Sequence, residues 1–130
     1  MRHKDISPDL NILSTHLIGL AIKVHSKLGP GLLESVYKES LFYEISKQGY
    51  VVQKEKPLPL IYETIKLDIG YRIDLLVENK IVIEVKSVDV LAAIHTAQVL
   101  TYLKLSGCKL GLLINFNVFL LKEGIRRLVK

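Results

Sequence analysis

Ile81-Val82-Ile83-Glu84-Val85-Lys86 is a β-branched run whose last four residues alternate apolar and charged. Its composition predicts a short strand, and side-chain alternation places Glu84 and Lys86 on one face of it. Just upstream, Arg72-Ile73-Asp74-Leu75-Leu76-Val77 is a second strand candidate with a carboxylate among apolar neighbours, and Glu78-Asn79-Lys80 is the turn between them. Leaving either charge buried and alone costs on the order of several kcal/mol, so each has to be paired, exposed or metal-bound.

The register of this hairpin follows from parity, because a slip of one residue turns every side chain to the other face. A two-residue loop, Glu78-Asn79, pairs Val77 with Lys80 and puts Asp74 and Glu84 on opposite faces. A three-residue loop, Glu78-Asn79-Lys80, pairs Val77 with Ile81. Arg72, Asp74 and Leu76 then oppose Lys86, Glu84 and Val82. The opposite face becomes Ile73, Leu75 and Val77 against Val85, Ile83 and Ile81, wholly apolar. Only the second register separates an apolar face from a polar end, so it is the one expected. Opposed Cβ atoms lie about 5 Å apart, within reach of one cation.

Apolar residues before this hairpin recur at helical spacing. Leu10, Leu13, Leu17, Leu20, Val24 and Leu28 mark a helix over Asp9 to Leu28, capped by Ser7 or Asp9 and stopped by Gly29-Pro30-Gly31. A second helix is expected from Leu32 to about Gln48, with Leu33, Tyr37, Leu41 and Ile45 on one stripe. From Tyr50 the period changes, and Pro57 and Pro59 assign that extended segment to a sheet edge. A further extended stretch, Ile65 to Val77, is broken by Gly70. After the hairpin, Leu91 to Ser106 reads as a helix ended by Gly107, Leu110 to Ile114 as a buried strand, and Leu121 to Val129 as an amphipathic tail helix. A strand, helix and strand in succession imply a right-handed parallel crossover. The expected architecture is α/β (α+β mixed): a mixed four-stranded sheet with helices on both faces.

A chain of 130 residues is expected to form one domain over its whole length, 1–130. It is 49% hydrophobic and 24% charged, which excludes general disorder. No apolar stretch in the first half approaches the roughly 20 residues that span a bilayer. No signal core follows the basic start, and Cys108 is the lone cysteine, so a cytoplasmic protein without disulfides or membrane association is expected. The net charge of +5 permits a polyanionic partner without requiring one.

Other polar residues interrupt apolar stripes. Glu34 is in line with Tyr37 and Leu41. Gln98 lies among Leu91, Ile94, Thr101, Tyr102 and Leu105, with Tyr102 one turn further along. Taken singly, Glu34 reads as a rim carboxylate, Gln98 as a surface amide and Tyr102 as a core aromatic. Asp74, Glu84 and Lys86 have a plain reading too, as ion pairs on a solvated face. Their functional reading is a divalent cation site, since two adjacent carboxylates repel and a hard cation relieves the repulsion. A neighbouring lysine can then hold or polarise an attacking water. His95, one turn before Gln98, reads as a satisfied surface histidine, and Ser87 as a cap for the next turn. No phosphate-loop signature and no zinc-ligand spacing occurs.

Asp74, nine intervening residues and Glu84-Val85-Lys86 resemble the D…ExK signature of the PD-(D/E)XK nuclease superfamily, with Ile73 where its name has proline. Gln98-Val-Leu-Thr-Tyr102 resembles the QxxxY motif of the exonuclease-like branch. Gly31-Leu-Leu-Glu34-Ser-Val-Tyr37 resembles the motif that names the GxxExxY proteins. The likeness runs from about Ile12 to Val129 and includes 111–117; Phe119 departs from it, standing where the family has proline. The resemblance implies a restriction-endonuclease-like core of helix, three-strand meander, helix and strand, preceded by an extra N-terminal helix.

It also implies roles. Asp74 and Glu84 would bind Mg²⁺ or Mn²⁺ with the Val85 carbonyl, and Glu34 would add a metal or water ligand. Lys86 would position the nucleophilic water, and Gln98 and Tyr102 would orient Lys86 and a substrate phosphate. The expected activity is metal-dependent hydrolysis of nucleic acid, with DNA as the substrate, by a chain that is free to form a homo-oligomer. The rival is a non-catalytic module that binds nucleic acid or a protein on the same fold, in defence or repair. The blandest reading is a structural cluster of ion pairs.

Overall fold

A computed structural model describes residues 8–130. The expected cap Ser7 lies outside them. Helix α1 (Pro8–Leu28) buries Leu10, Leu13, Leu17, Ala21 and Val24, while Leu28, expected on the same stripe, is partly exposed at its end. Helix α2 (Glu34–Lys47) buries Tyr37, Leu41 and Ile45; Leu33 precedes it in an extended conformation and faces solvent.

Next come β1 (Val52–Pro57), a hairpin of β2 (Leu60–Tyr62) and β3 (Ile65–Leu67), then β4 (Arg72–Val77) and β5 (Ile81–Lys86). Helix α3 (Ala93–Ser106), β6 (Leu110–Asn115), a 3₁₀ turn (Leu121–Gly124) and β7 (Ile125–Val129) complete the chain. The main sheet has the order β1-β4-β5-β6-β7, and β2-β3 form a separate two-stranded ribbon. As the prolines implied, β1 is an edge strand. β4 runs antiparallel to both β1 and β5, whereas β6 is parallel to β5 across the α3 crossover.

Two apolar layers enclose the sheet. Leu75, Val77, Ile81, Ile83 and Val85 pack against α1 and α2, while Leu76, Val82 and Leu113 pack against Val99, Tyr102 and Leu103 of α3. Helix α3 sits close on β6 because Gly111 lacks a side chain: a Cβ there would lie 2.7 Å from Val99 Cγ1.

The structure corrects four expectations. The sheet has five strands, because residues 125–129 pair antiparallel with β6 instead of forming a tail helix. Gly124 comes so close to the end of β6 that a Cβ there would fall 2.2 Å from the Asn115 carbonyl oxygen, and this approach turns the chain back along β6. With a tail helix instead, β6, buried along its whole length, would keep an open edge. The stretch from Ile65 to Val77 is two strands, and only the second joins the main sheet. Ile73 packs on the α3 side with Leu58 and Leu76, not with Leu75 and Val77, so β4 turns between Ile73 and Leu75. Finally, the inward stripe of α3 is Val99, Tyr102 and Leu103, and Ile94 is 71% exposed.

Candidate active site

The β4–β5 ladder has the register expected from parity: Val77 faces Ile81, Leu76 faces Val82 and Leu75 faces Ile83. Regular pairing stops there. At the next position, Asp74 opposite Glu84, side chains replace the ladder. The Asp74 N–H donates to Glu84 Oε2 at 2.8 Å, and the Val85 N–H donates to Asp74 Oδ2 at 2.9 Å. Each carboxylate thereby fastens the other's strand. Among the described residues no hydrogen bond reaches the second oxygen of either group.

This pair is costly as two anions. Glu84 is 2% exposed. Burial, followed by the charge of Asp74, pushes its carboxyl up to about 8. Burial also raises Asp74, against the Val85 N–H and the charges of Lys38 and Lys86. Lys86, half-buried two residues beyond Glu84, opposes the rise in both. Two desolvated like charges with oxygens to spare match a hard divalent cation, which protein sites commonly hold by one or two carboxylates plus water and substrate phosphate.

The third carboxylate stands apart. Glu34 opens α2, exposed, and reaches the pair by charge, raising both. Among the described residues no group of three or more His, Cys, Asp or Glu is close enough to hold a metal together. What fixes Glu34 is Tyr37. The Tyr37 hydroxyl donates to the Gly29 carbonyl at 2.5 Å and accepts from the Leu32 N–H at 3.1 Å. Its ring stacks on Phe116, with centroids 4.6 Å apart. The tyrosine therefore ties the loop before α2 to the sheet.

From the other layer, α3 contributes Gln98 and Tyr102. Gln98 Nε2 donates to the Tyr102 hydroxyl at 3.1 Å. Tyr102 is 4% exposed, and burial with the nearby charge of Glu84 raises its hydroxyl pKa. Tyr102 thus packs on the α3 side of the sheet, with Gln98 at the edge of the buried stripe.

Flanking residues take structural roles. Ser87 Oγ donates to the Leu32 carbonyl at 2.7 Å, joining the end of β5 to the loop before α2. His95 Nδ1 accepts from the Ala92 N–H at 3.0 Å, which fixes the start of α3 and leaves the proton of the neutral ring on Nε2. Buried Asn115 grips Val88 twice, accepting from its N–H at 3.1 Å and donating to its carbonyl at 2.9 Å. Arg126 and Arg127 are bonded internally, to Thr96 and the Leu91 carbonyl and to Asn11 and Ser14 respectively.

Lys38 escaped the sequence reading. One turn beyond Glu34 on α2, it donates to Glu55 Oε2 at 3.1 Å and acts by charge on Asp74. Its i, i+4 spacing from Glu34 was the available signal.

The chain thus has a mixed sheet with helices on both faces, and an acidic pair and a lysine at the end of its central hairpin. A family model described as the PD-(D/E)XK nuclease superfamily matches residues 11–128. The chain belongs to that superfamily, whose members are nucleases, and has its restriction-endonuclease-like fold. No curated protein and no solved structure matches it. Among the described residues no helix is long and apolar enough to cross a membrane.

Proposed function

We propose that this chain is a divalent-metal-dependent nuclease of the GxxExxY group, hydrolysing phosphodiester bonds of DNA in the cytoplasm. The observation that carries the reading is the clasp of Asp74 and Glu84 across β4 and β5, with Lys86 two residues further along. The GxxExxY assignment draws on Tyr37, whose bonds hold the loop from which Glu34 starts α2.

Asp74 and Glu84 would hold Mg²⁺ or Mn²⁺, with the Val85 carbonyl as a further ligand and Glu34 adding its charge from α2. Bound there, the cation supplies positive charge to the phosphate and acidifies water. Lys86 tempers the repulsion between the carboxylates and orients the attacking water. Tyr102, held by Gln98, would orient Lys86 and the phosphate.

The test is incubation of the purified protein with end-labelled DNA and RNA, in Mn²⁺, in Mg²⁺ and in chelator, beside Asp74→Asn. Metal-dependent cleavage that Asp74→Asn loses supports the reading. Metal-dependent binding of nucleic acid without cleavage under any of these conditions replaces it with the non-catalytic module.

A further inference from the structure

The geometry points to a phosphate-binding rim beside the carboxylate pair, built from Lys38 and Arg72 around Glu55, that takes a backbone phosphate flanking the one cleaved. It rests on the nuclease reading for its ligand but concerns residues outside the acidic pair, its lysine and the α3 motif.

Glu55 is where β1 departs from regular pairing. β1 and β4 match Lys54 with Leu75 and Lys56 with Ile73, and skip Glu55 opposite Asp74. The backbone of Glu55 is left-handed, φ +54°, a conformation that non-glycine residues adopt at a cost. This kink lies directly across β4 from the clasp, so Asp74 lacks a ladder partner on either side. The Glu55 side chain meets Lys38 at 3.1 Å. Lys38 is only 15% exposed, whereas Glu55 is 52% exposed.

That asymmetry suggests what the pair does. Lys38 is held by the packing of α2 against the sheet, its ammonium bonded to Glu55 and under the charge of Asp74. Glu55 is the movable member, and an ion pair with one partner half in water contributes little to stability. Three cations act on it: Lys38, Arg72 and Lys54. Lys54 is also committed to Glu39 at 2.7 Å, but Arg72 is exposed and bonded to no carboxylate among the described residues. Of the carboxylates that act on Lys38, only Glu55 is bonded to it, and Glu55 stands half in solvent, so a phosphate can displace it. A strand whose scissile phosphate lies at Asp74 and Glu84 presents its next phosphate to this rim.

Binding of a fluorescein-labelled DNA duplex, read by anisotropy in chelator across a salt series, tests the rim apart from cleavage. One lost phosphate contact removes about 0.9 from the slope of log K against log salt, an affinity loss of about eightfold at 0.1 M. Lys38→Met is expected to show both changes, Lys38→Arg neither, and Glu55→Gln tighter binding with the slope retained. Wild-type slope and affinity in a folded Lys38→Met protein would overturn the rim. So would weakened binding by Glu55→Gln, since a merely structural ion pair suffers from the loss of either partner. If Lys38→Met does not fold, the tighter binding predicted for Glu55→Gln still decides. Failure of wild type to bind DNA also overturns it. Mn²⁺-dependent cleavage is measured separately: its absence alongside Lys38-dependent binding removes the nuclease reading and leaves the rim standing.

Discussion

Asp74 and Glu84 hold each other through main chain: Glu84 accepts from the Asp74 N–H, and Asp74 accepts from the N–H of Val85, the residue after Glu84. Two acidic side chains thus occupy the place of ladder hydrogen bonds. The strand ends stay together while one oxygen of each group remains for a ligand. The arrangement also makes the carboxylates dependent on the sheet for their position, and the sheet dependent on them only locally, at the end of one ladder.

Substitution at the clasp should therefore separate activity from folding. Asp74→Asn and Glu84→Gln keep the shape and an acceptor oxygen for the backbone bond but lose the anionic oxygen. Lys86→Ala removes the ammonium that acts on both. Each is expected to lower metal-dependent cleavage by about a hundredfold or more while circular dichroism stays that of wild type. Cleavage retained by purified Lys86→Ala would remove the role given to that lysine.

The raised pKa of Glu84 gives stability a pH dependence whose sign can be worked out. Unfolded, the carboxyl titrates near 4.5; folded, near 8. Between those values the folded state binds more protons, so stability falls as pH rises through the window. Below it both states are protonated and the penalty is absent. The metal-free protein should lose melting temperature between about pH 5 and 8, at about 4 °C per kcal/mol for a chain of this size. Mn²⁺ at the upper end should recover the loss, and Glu84→Gln should flatten the profile. A Glu84→Gln profile as steep as wild type would assign the dependence to other groups.

Tyr37 offers a test of how the first motif acts. Tyr37→Phe preserves the stack on Phe116 but leaves the Gly29 carbonyl and the Leu32 N–H without their partner. Losing these part-buried bonds should cost about 1–3 kcal/mol. The loop that sets Glu34 should loosen with it. Hydrogen exchange is expected to rise at Leu32 and across the first turn of α2, while β5 and β6 stay protected. Uniform loss of protection would mean that Tyr37 serves the core alone.

Much of this was legible in the sequence, for reasons visible in particular residues. The β4–β5 register followed from parity because apolar and charged side chains alternate strictly near Glu84. β6 was legible as an unbroken apolar run, and α1 from its spacing. The tail misled because Leu121, Ile125 and Leu128 fit a helical stripe as well as they fit a strand. What decided it was the contact of Gly124 with the Asn115 carbonyl and the open edge of β6, both tertiary facts. Likewise the stripe of α3 drifted by one position because Ile94 faces solvent. Asp74, Glu84, Gln98 and Tyr102 were named from pattern, whereas Lys38 and Glu55 come together only where α2 meets the kinked edge strand β1.

The spacing between α3 and the sheet is the last feature open to test. Gly111 on β6 lies under Val99, and a methyl group added there would come within 2.7 Å of Val99 Cγ1 and 3.4 Å of Leu103 Cδ2. Val99 and Leu103 are fully buried, and each adjoins a residue proposed for the site, Gln98 or Tyr102. Gly111→Ala must therefore push α3 outward or force its side chains from their rotamers, at about 1–3 kcal/mol. The same movement shifts Gln98 and Tyr102 relative to the sheet. Cleavage is expected to fall by more than the lost fraction of folded protein explains, since an ångström of misplacement at a site can cost about a hundredfold. The pairing of Gly111→Ala with Val99→Ala decides whether this is a spacing effect. Truncating Val99 makes room for the new methyl, so the double variant should recover activity over Gly111→Ala even though Val99→Ala alone opens a cavity. Purely additive losses in that cycle would show that α3 does not position the site through this contact.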